Sequence, residues 1–182
     1  MSLLRAKSGV AGSPPKTGDV TLAARIVMAP CSIEPKTTRA RMAEWLSGLH
    51  ARQGKSLKAL FAARPTVSTL LESLTESSPY LWELASRDPQ RLLKVLDADP
   101  DRHLAALLED GGGAVAATSD EAEAMRLLRH MKAEAALLIA LADIGGVWPV
   151  MRATRALTDL ADAAVDAATC FVLAEAVRDG RL

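Results

Sequence analysis

The sequence predicts an all-α protein, and three observations support this prediction. Of the 182 residues, 34 are alanine and 27 are leucine, the two apolar residues with the strongest helix propensity. Aromatic residues make up only 3% of the chain, and the alternating β-branched runs that are typical of strands are absent. Apolar residues recur instead at spacings of three and four, the period of a helix face. We therefore expect a compact set of short N-terminal helices followed by a long antiparallel helical hairpin.

The composition also excludes several classes of protein. Hydrophobic residues make up 49% of the chain, too many for a protein that is disordered throughout. The longest nearly uncharged apolar run, residues 135–142, is far shorter than the ~20 residues of a membrane-spanning helix, so no membrane is expected as a partner. No secretion signal opens the chain, and Cys31 and Cys170 are far apart in sequence, which favours a reduced cytoplasmic protein.

The charges are balanced overall but divided unequally along the chain. Residues 1–64 hold 11 Lys and Arg against 3 Asp and Glu, whereas residues 65–182 hold 11 against 19. Such a division is compatible with a nucleic-acid arm or with a basic N-terminal part that lies on an acidic body. No aromatic residue is interleaved with the basic ones before Trp45, so nucleic acid is not the expected partner.

The first part of the chain predicts short elements. Residues 1–18 are rich in Gly, Pro, Ser and Lys and indicate a disordered leader. A short helix is expected over 20–28, and a second from a cap at 37 or 38 to about residue 52. We expect Gly54 to end that second helix and Ser56 to cap the next one.

From Pro65 onward, residues that start and end helices recur at regular intervals. Residues 19–113 as a whole are expected to form a short-helix region. The apolar spacing predicts a helix from Pro65 to about Ser77. Three capping residues then each precede a proline, a favoured start for a helix. The pairs Ser78-Pro79, Asp88-Pro89 and Asp99-Pro100 predict helices over 79–87, 89–97 and 100–109. The glycine triplet 111–113 is expected to be a flexible joint that closes the region.

Residues 114–182 predict the hairpin. Thr118 and Glu121 form a capping box that opens a helix to Ile144, where two glycines end it. A second helix is expected over 149–179. Both carry a seam with a period close to 3.5, so we expect antiparallel packing with a small left-handed crossing. The predicted seam consists of Ala124, Leu128, Met131, Ala135, Leu138 and Ala142 in the first helix, and of Val150, Ala153, Leu157, Leu160, Ala164, Ala167, Phe171 and Ala174 in the second.

Few residues suggest a metal-binding, phosphate-binding or catalytic site. The three histidines, at 50, 103 and 130, stand alone in sequence and are expected at the surface rather than on a metal. The glycine triplet lacks the Lys-Ser/Thr of a phosphate-binding loop. Cys170 has no nearby histidine, so we expect it to be a small buried apolar side chain rather than a nucleophile.

One constellation is a candidate functional face. Asp159, Asp162 and Asp166 follow the i, i+3, i+7 pattern of one helix face, with Arg152 and Arg155 one turn earlier. Carboxylates on helices can hold Mg²⁺, but no Glu-x-x-His accompanies them. We favour a face on which Arg152 and Arg155 pair with Asp159 and Asp162. The alternative is that Arg155, Asp159, Asp162 and Asp166 dock against another domain.

Three segments, taken in order, resemble a known family. Residues 78–84 (SPYLWEL), followed by Asp88-Pro89, resemble a stretch near the start of the bifunctional glutamine synthetase adenylyltransferase/adenylyl-removing enzymes. Residues 127–132 (LLRHMK) and 139–146 (IALADIGG) are similar to one helix of that family, and residues 154–162 (TRALTDLAD) to a later segment. The resemblance covers residues 20–182.

The resemblance implies a large cytoplasmic enzyme with two nucleotidyltransferase domains that uses ATP and Mg²⁺. Such an enzyme attaches AMP to glutamine synthetase and removes it, under the control of glutamine and the PII signal protein. The family's catalytic signature, a Gly-Gly pair followed by Ser-Asp-x-Asp, comes after the helical hairpin and is not found in this chain. No catalytic, cofactor-binding or metal-binding residue is therefore carried over, and we expect the chain alone to be inactive and to hold no cofactor.

The expected function is thus that of the N-terminal helical segment of such an enzyme, supporting the adenylyl-removing half without its active site. Glutamine synthetase and PII are the partners that the resemblance implies. The alternative is a stand-alone α-helical regulatory or adaptor module that has no parent active site.

Overall fold

The computed structural model describes residues 20–182, which form nine α-helices and no strand. The all-α prediction is confirmed, whereas the predicted leader lies outside the described residues. The helices are α1 (Leu22–Arg25), α2 (Pro35–Gly48), α3 (Ala51–Ala63), α4 (Pro65–Ser77), α5 (Pro79–Arg87), α6 (Pro89–Asp97), α7 (Pro100–Ala117), α8 (Glu121–Ile144) and α9 (Val150–Arg178).

The three cap–proline pairs start helices where the sequence predicts them. The Ser78 hydroxyl accepts a hydrogen bond from the Leu81 amide, and the Asp88 carboxylate accepts one from the Arg91 amide. Asp99 accepts from two amides of the first turn of α7 at 3.0 Å. Proline follows each cap at the first helical position, where its missing N–H removes no hydrogen bond.

The expectation that the glycine triplet forms a flexible joint is wrong. Residues 111–113 lie inside α7, which continues to Ala117 rather than ending at 109. A Cβ at Gly111 would lie 2.5 Å from the Sδ atom of Met131, so this glycine lets α7 approach α8 closely. Beyond the glycines, Val115 is fully buried in a small cluster with Ala124 and Phe171. Burial of that side chain offsets the low helix propensity of glycine.

The helix starts at Ser56 and Thr118 are also corrected. Gly54 and Ser56 lie within α3, and α2 ends six residues before Gly54. Gly54 is buried where α3 passes α2, since a Cβ there would lie 3.4 Å from the carbonyl oxygen of Leu46. The cap of α8 is Asp120, which accepts from the Ala122 amide, while Thr118 accepts from the Asp120 amide.

The helical hairpin is present, but it is one part of a three-helix group. The start of α8 and the end of α9 line one apolar groove, which shows that the two helices are antiparallel. They contain 24 and 29 residues, about 36 and 44 Å at 1.5 Å per residue. Helix α7 packs against both of them. The predicted left-handed crossing stays a prediction.

The predicted seam of α9 is partly wrong. Val150 and Leu157 are exposed, Leu157 to 53%, and Ala174 is exposed as well. The buried face of α9 is instead formed by Ala153, Ala156, Leu160, Ala167 and Phe171, with Ala164 half-buried. The predicted seam combined residues from two neighbouring apolar stripes of α9. Only the stripe that contains Leu160 packs into the core.

Residues 20–29, which we call the N-terminal strip, form hydrogen bonds with two turns that are far apart in sequence. The Leu22 amide donates to the carbonyl oxygen of Ala98, and the Val27 amide donates to that of Gly145 in the α8–α9 turn. Gly146 completes this turn with a φ of +71°, which a side chain would strain. Arg25 also contacts Asp101, and Arg39 contacts Glu72. These contacts agree with a basic N-terminal part that lies on an acidic body.

One main apolar core joins the helices. Its fully buried leucines come from α1, α3, α4, α6 and α8, and include Leu22, Leu57, Leu70, Leu92 and Leu138. Within residues 20–182, no helix combines the length and the apolar character that crossing a membrane requires.

Candidate functional site

The four residues of the candidate docking face lie along α9. Arg155, Asp162 and Asp166 are exposed, and Asp159 is half-buried. At 100° per residue they project from the side of α9 roughly opposite its buried residues. The helix therefore brings the predicted residues together on one surface.

The expected ion pairs on this face are largely replaced by others. Arg152 donates through Nε to the Oδ1 atom of Asp101 at 3.1 Å and reaches Asp159 only at 4.0 Å. Its guanidinium also lies 4.5 Å from the ring centroid of Trp148. In the described part of the chain Arg155 forms no ion pair, so the expected pairing of Arg155 is wrong.

Asp101 is the centre of a polar junction at the start of α7. Its carboxylate accepts from Arg152, from Arg25 at 3.5 Å and from the Trp148 indole N–H at 3.4 Å. These three partners come from α9, α1 and the turn between α8 and α9. The junction fixes the relative positions of the hairpin turn and the N-terminal strip.

The acidic face offers ligands for a metal ion from one side only. Its three carboxylates project from one helix, so water would have to complete the octahedral shell of a Mg²⁺ ion. Among residues 20–182, no group of three or more His, Cys, Asp and Glu side chains is arranged to hold a metal. The face is a charged surface of α9.

A second polar cluster, centred on Glu134, was missed by the sequence analysis. Glu134 is only 7% exposed, and its Oε1 atom accepts from His103 Nε2 at 2.6 Å and from Lys94 Nζ at 2.7 Å. Burial raises the pKa of this carboxyl, but the hydrogen bonds and charges of His103 and Lys94 outweigh burial and lower the pKa to about 2. The expectation that His103 stands alone at the surface is therefore wrong.

The sequence did contain a signal for this cluster. Glu134 lies three residues after Met131 and four before Leu138, two members of the predicted seam. A charged side chain at the margin of a buried stripe needs a partner, because an unpaired buried charge is unfavourable. The partners lie on α6 and α7, 40 and 31 residues earlier in the chain, so their identity required the tertiary structure.

The Glu134 cluster opens into a cavity of about 380 Å³ between α6, α7 and α8. Its wall is partly apolar and carries charges of both signs. The titratable lining residues are Lys94, His103, Asp110, Arg126, His130 and Glu134. Arg126 is already paired with Glu123 at 2.7 Å. The titratable groups of the wall are thus carboxylates, cationic side chains and imidazoles, and Glu134 is ionised near neutral pH.

The two cysteines lie away from this cavity. Both Cys31 and Cys170 are free thiols, and both are exposed. The expectation that Cys170 is a buried apolar side chain is therefore wrong. It lies on the solvent side of α9, next to buried Phe171.

Comparisons with known proteins identify one family. The family of glutamate-ammonia ligase adenylyltransferases matches residues 68–181. A bifunctional glutamine synthetase adenylyltransferase/adenylyl-removing enzyme of Bradyrhizobium diazoefficiens is 49% identical over 171 residues, which are 94% of this chain and 17% of that protein. Relatives with the same name from Rhodopseudomonas palustris and Xanthobacter autotrophicus are 48% and 43% identical, over 90% and 85% of this chain. The chain spans about one sixth of the length of these relatives. No solved structure shows a significant match.

Proposed function

Because this chain belongs to the glutamate-ammonia ligase adenylyltransferase family, we propose that it is the N-terminal helical segment of a bifunctional enzyme that adenylylates and deadenylylates glutamine synthetase. The observation that carries this proposal is the family match over residues 68–181 together with the small share, 17%, of a relative's length that the chain covers. The segment supports the adenylyl-removing half and contributes no catalytic group of its own.

Two polar clusters that hold the fold together support a scaffold role. The polar groups of the Asp101 junction and the Glu134 cluster are engaged with other elements of the same fold. We propose that ATP and Mg²⁺ bind in the part of the parent enzyme that lies outside this segment. Glutamine synthetase and PII are proposed as partners of that cytoplasmic parent, with no nucleic acid or membrane involved.

We place the docking of the parent's nucleotidyltransferase domain at Arg155, Asp159, Asp162 and Asp166. This face carries a net negative charge and has few partners within the described residues. An exposed carboxylate row on a rigid helix gives long-range attraction to a basic surface. The role of the face is thus positional.

The test uses the B. diazoefficiens enzyme in which the matching segment is replaced by this chain or deleted. We expect the replacement to retain adenylyl removal and the deletion to reduce it by at least about tenfold, since loss of positioning alone can cost ~10²-fold in rate. Adenylyl transfer to glutamine synthetase, measured on the same preparations, should persist in the deletion. Adenylyl removal that survives the deletion unchanged contradicts the proposal. The purified chain alone should leave the adenylyl state of glutamine synthetase unchanged.

The docking face has its own variant and a matched control. In the replacement enzyme, the three aspartates at 159, 162 and 166 are changed to asparagine. The control changes three exposed acidic residues on other helices, Glu44, Asp97 and Glu109, to their amides, and it alters the net charge equally. We expect only the first variant to weaken adenylyl removal, with a larger effect at low salt. Equal effects of the two variants contradict a specific docking face.

A further inference from the structure

Helix α9 carries a second apolar face that the fold does not bury. We call it the α9 stripe, defined by six exposed residues: Val150, Thr154, Leu157, Ala161, Val165 and Val172. Val165 is 65% exposed and Val172 is 57% exposed. The stripe runs for about 33 Å at 1.5 Å per residue, and no charged residue interrupts it.

The stripe is distinct from the buried face of the same helix. The buried residues, among them Ala156, Leu160 and Phe171, repeat the same three-and-four spacing about 100° further around the helix. Two adjoining stripes with this period are the pattern of a helix that packs against neighbours on two sides. In the described chain α7 and α8 pack on the buried face, and Val172, at one end of the stripe, lines a groove with α8.

The size of the stripe favours a tethered partner over a free one. Its four large side chains are 53–69% exposed. They offer roughly a few hundred Å² of apolar surface, less than the ~800 Å² per partner of a standard interface between separate proteins. A segment of the same polypeptide is present at an effective concentration of about millimolar and needs a smaller interface. The relatives contain such polypeptide, because this chain covers only 17% of the B. diazoefficiens protein.

The charges beside the stripe indicate the chemistry of the partner. Within α9, Asp162 and Asp166 border it on the side away from the core, and Arg155 is the one basic residue of the helix beside them. A second copy of this chain would bring the same acidic border and would be repelled, whereas a helix with basic residues beside its apolar face would be attracted.

We propose that the α9 stripe docks an amphipathic helix with a basic flank, contributed by the part of the parent enzyme that this chain does not cover. This inference rests on the proposed function, because it requires the long parent polypeptide. It adds the surface through which the segment and the remainder of the enzyme are held together.

The test measures the reactivity of a cysteine placed in the stripe. Both native cysteines are changed to serine, and Val165→Cys is introduced into this chain and into the B. diazoefficiens enzyme that carries it. We expect thiol labelling to be fast in the isolated chain and at least about tenfold slower in the full-length enzyme, the protection given by ~1.4 kcal/mol of docking. The control is Ile33→Cys, which is 87% exposed between α1 and α2 and should react quickly in both.

Each other result overturns the inference. Equal labelling of the Val165→Cys variant in the two proteins, in an enzyme that still removes adenylyl groups, refutes the stripe while leaving the proposed function intact. Protection in the isolated chain that grows with its concentration indicates a second copy as the occupant. Protection that disappears on deleting residues 1–19 indicates those residues. The same substitution at the aligned position of the unmodified B. diazoefficiens sequence provides a second measurement that does not depend on the replacement.

A charged substitution in the α9 stripe tests the same docking through its effect on activity. We expect Leu157→Asp in the replacement enzyme to reduce adenylyl removal at least about tenfold, as loss of a central interface residue does. The helix content of the isolated variant should stay unchanged, because Leu157 is 53% exposed. Ile33→Asp is the matched control and should be neutral. Full activity of Leu157→Asp overturns the inference.

Discussion

Replacing Glu134 by glutamine tests the energetics of the buried cluster. The change keeps the shape of the side chain but removes its negative charge. The Glu134 carboxylate accepts hydrogen bonds from His103 and Lys94. The pKa of Glu134 is about 2 in the folded chain, against an ordinary value of 4.5. At 1.36 kcal/mol per pKa unit, this difference corresponds to about 3 kcal/mol of stability at neutral pH. Because glutamine still accepts one hydrogen bond, we expect a loss of about 2–3 kcal/mol at pH 7.

The pH dependence of that loss has a definite sign. A carboxyl with a lowered pKa in the folded state stabilises the fold fully above its ordinary pKa of 4.5, and the stabilisation disappears as the pH falls towards 2. At pH 3, about 1.4 kcal/mol of the stability that the ionised Glu134 contributes at neutral pH remains. The difference between wild type and Glu134→Gln should therefore shrink by roughly half between pH 7 and pH 3.

The assay is urea denaturation followed by circular dichroism at pH 7, 5, 4 and 3. The control is Glu109→Gln, an exposed residue of α7, for which we expect a change within about 0.5 kcal/mol at every pH. A loss for Glu134→Gln below about 1 kcal/mol at pH 7, or one that does not vary with pH, would refute the view that His103 and Lys94 stabilise an ionised carboxylate.

Three further predictions concern packing and charge. Leu160→Ala should destabilise the chain by about 2–5 kcal/mol, whereas Leu157→Ala should stay within about 1 kcal/mol; the reverse order in urea melts would contradict the buried face of α9. Gly113→Ala should stabilise α7 by about 0.5–1 kcal/mol in thermal melts because its Cβ meets open space, and Gly111→Ala should gain less because Met131 must move; equal gains would contradict the close α7–α8 contact. Calorimetric titration with Mg²⁺ should reveal no site tighter than about millimolar, and micromolar binding that Asp162→Asn abolishes would make the acidic face a metal site.

The start of each helix could be read from the sequence where local chemistry decides it. Asp88 and Asp99 cap their helices with hydrogen bonds to amides two or three residues away, and the proline after each is already set for helix geometry. The end of α8 at Gly145-Gly146 is similarly local, because Gly146 adopts a positive φ. Such interactions need no distant partner, so the α5, α6, α8 and α9 segments could be predicted closely.

Residues that depend on distant neighbours could not be assigned in this way. Gly111 lies inside α7 and lets it approach Met131 of α8 closely, and Glu134 is ionised because His103 and Lys94 reach it from other helices. The family resemblance could also be read from the sequence, since three ordered segments carry it, but it identified none of these contacts.

The two apolar stripes of α9 show most directly which features the sequence determines and which the tertiary structure determines. By itself the sequence determined that residues 150–178 form one long helix with apolar residues at helical spacing, because propensity and period act along the chain. It could not determine which stripe is buried, since Leu157 and Leu160 are the same residue type in patterns of the same period. The tertiary structure decided this: α7 and α8 approach α9 from the side of Leu160, and burial depends on where neighbouring helices lie rather than on the hydrophobicity of the residue alone.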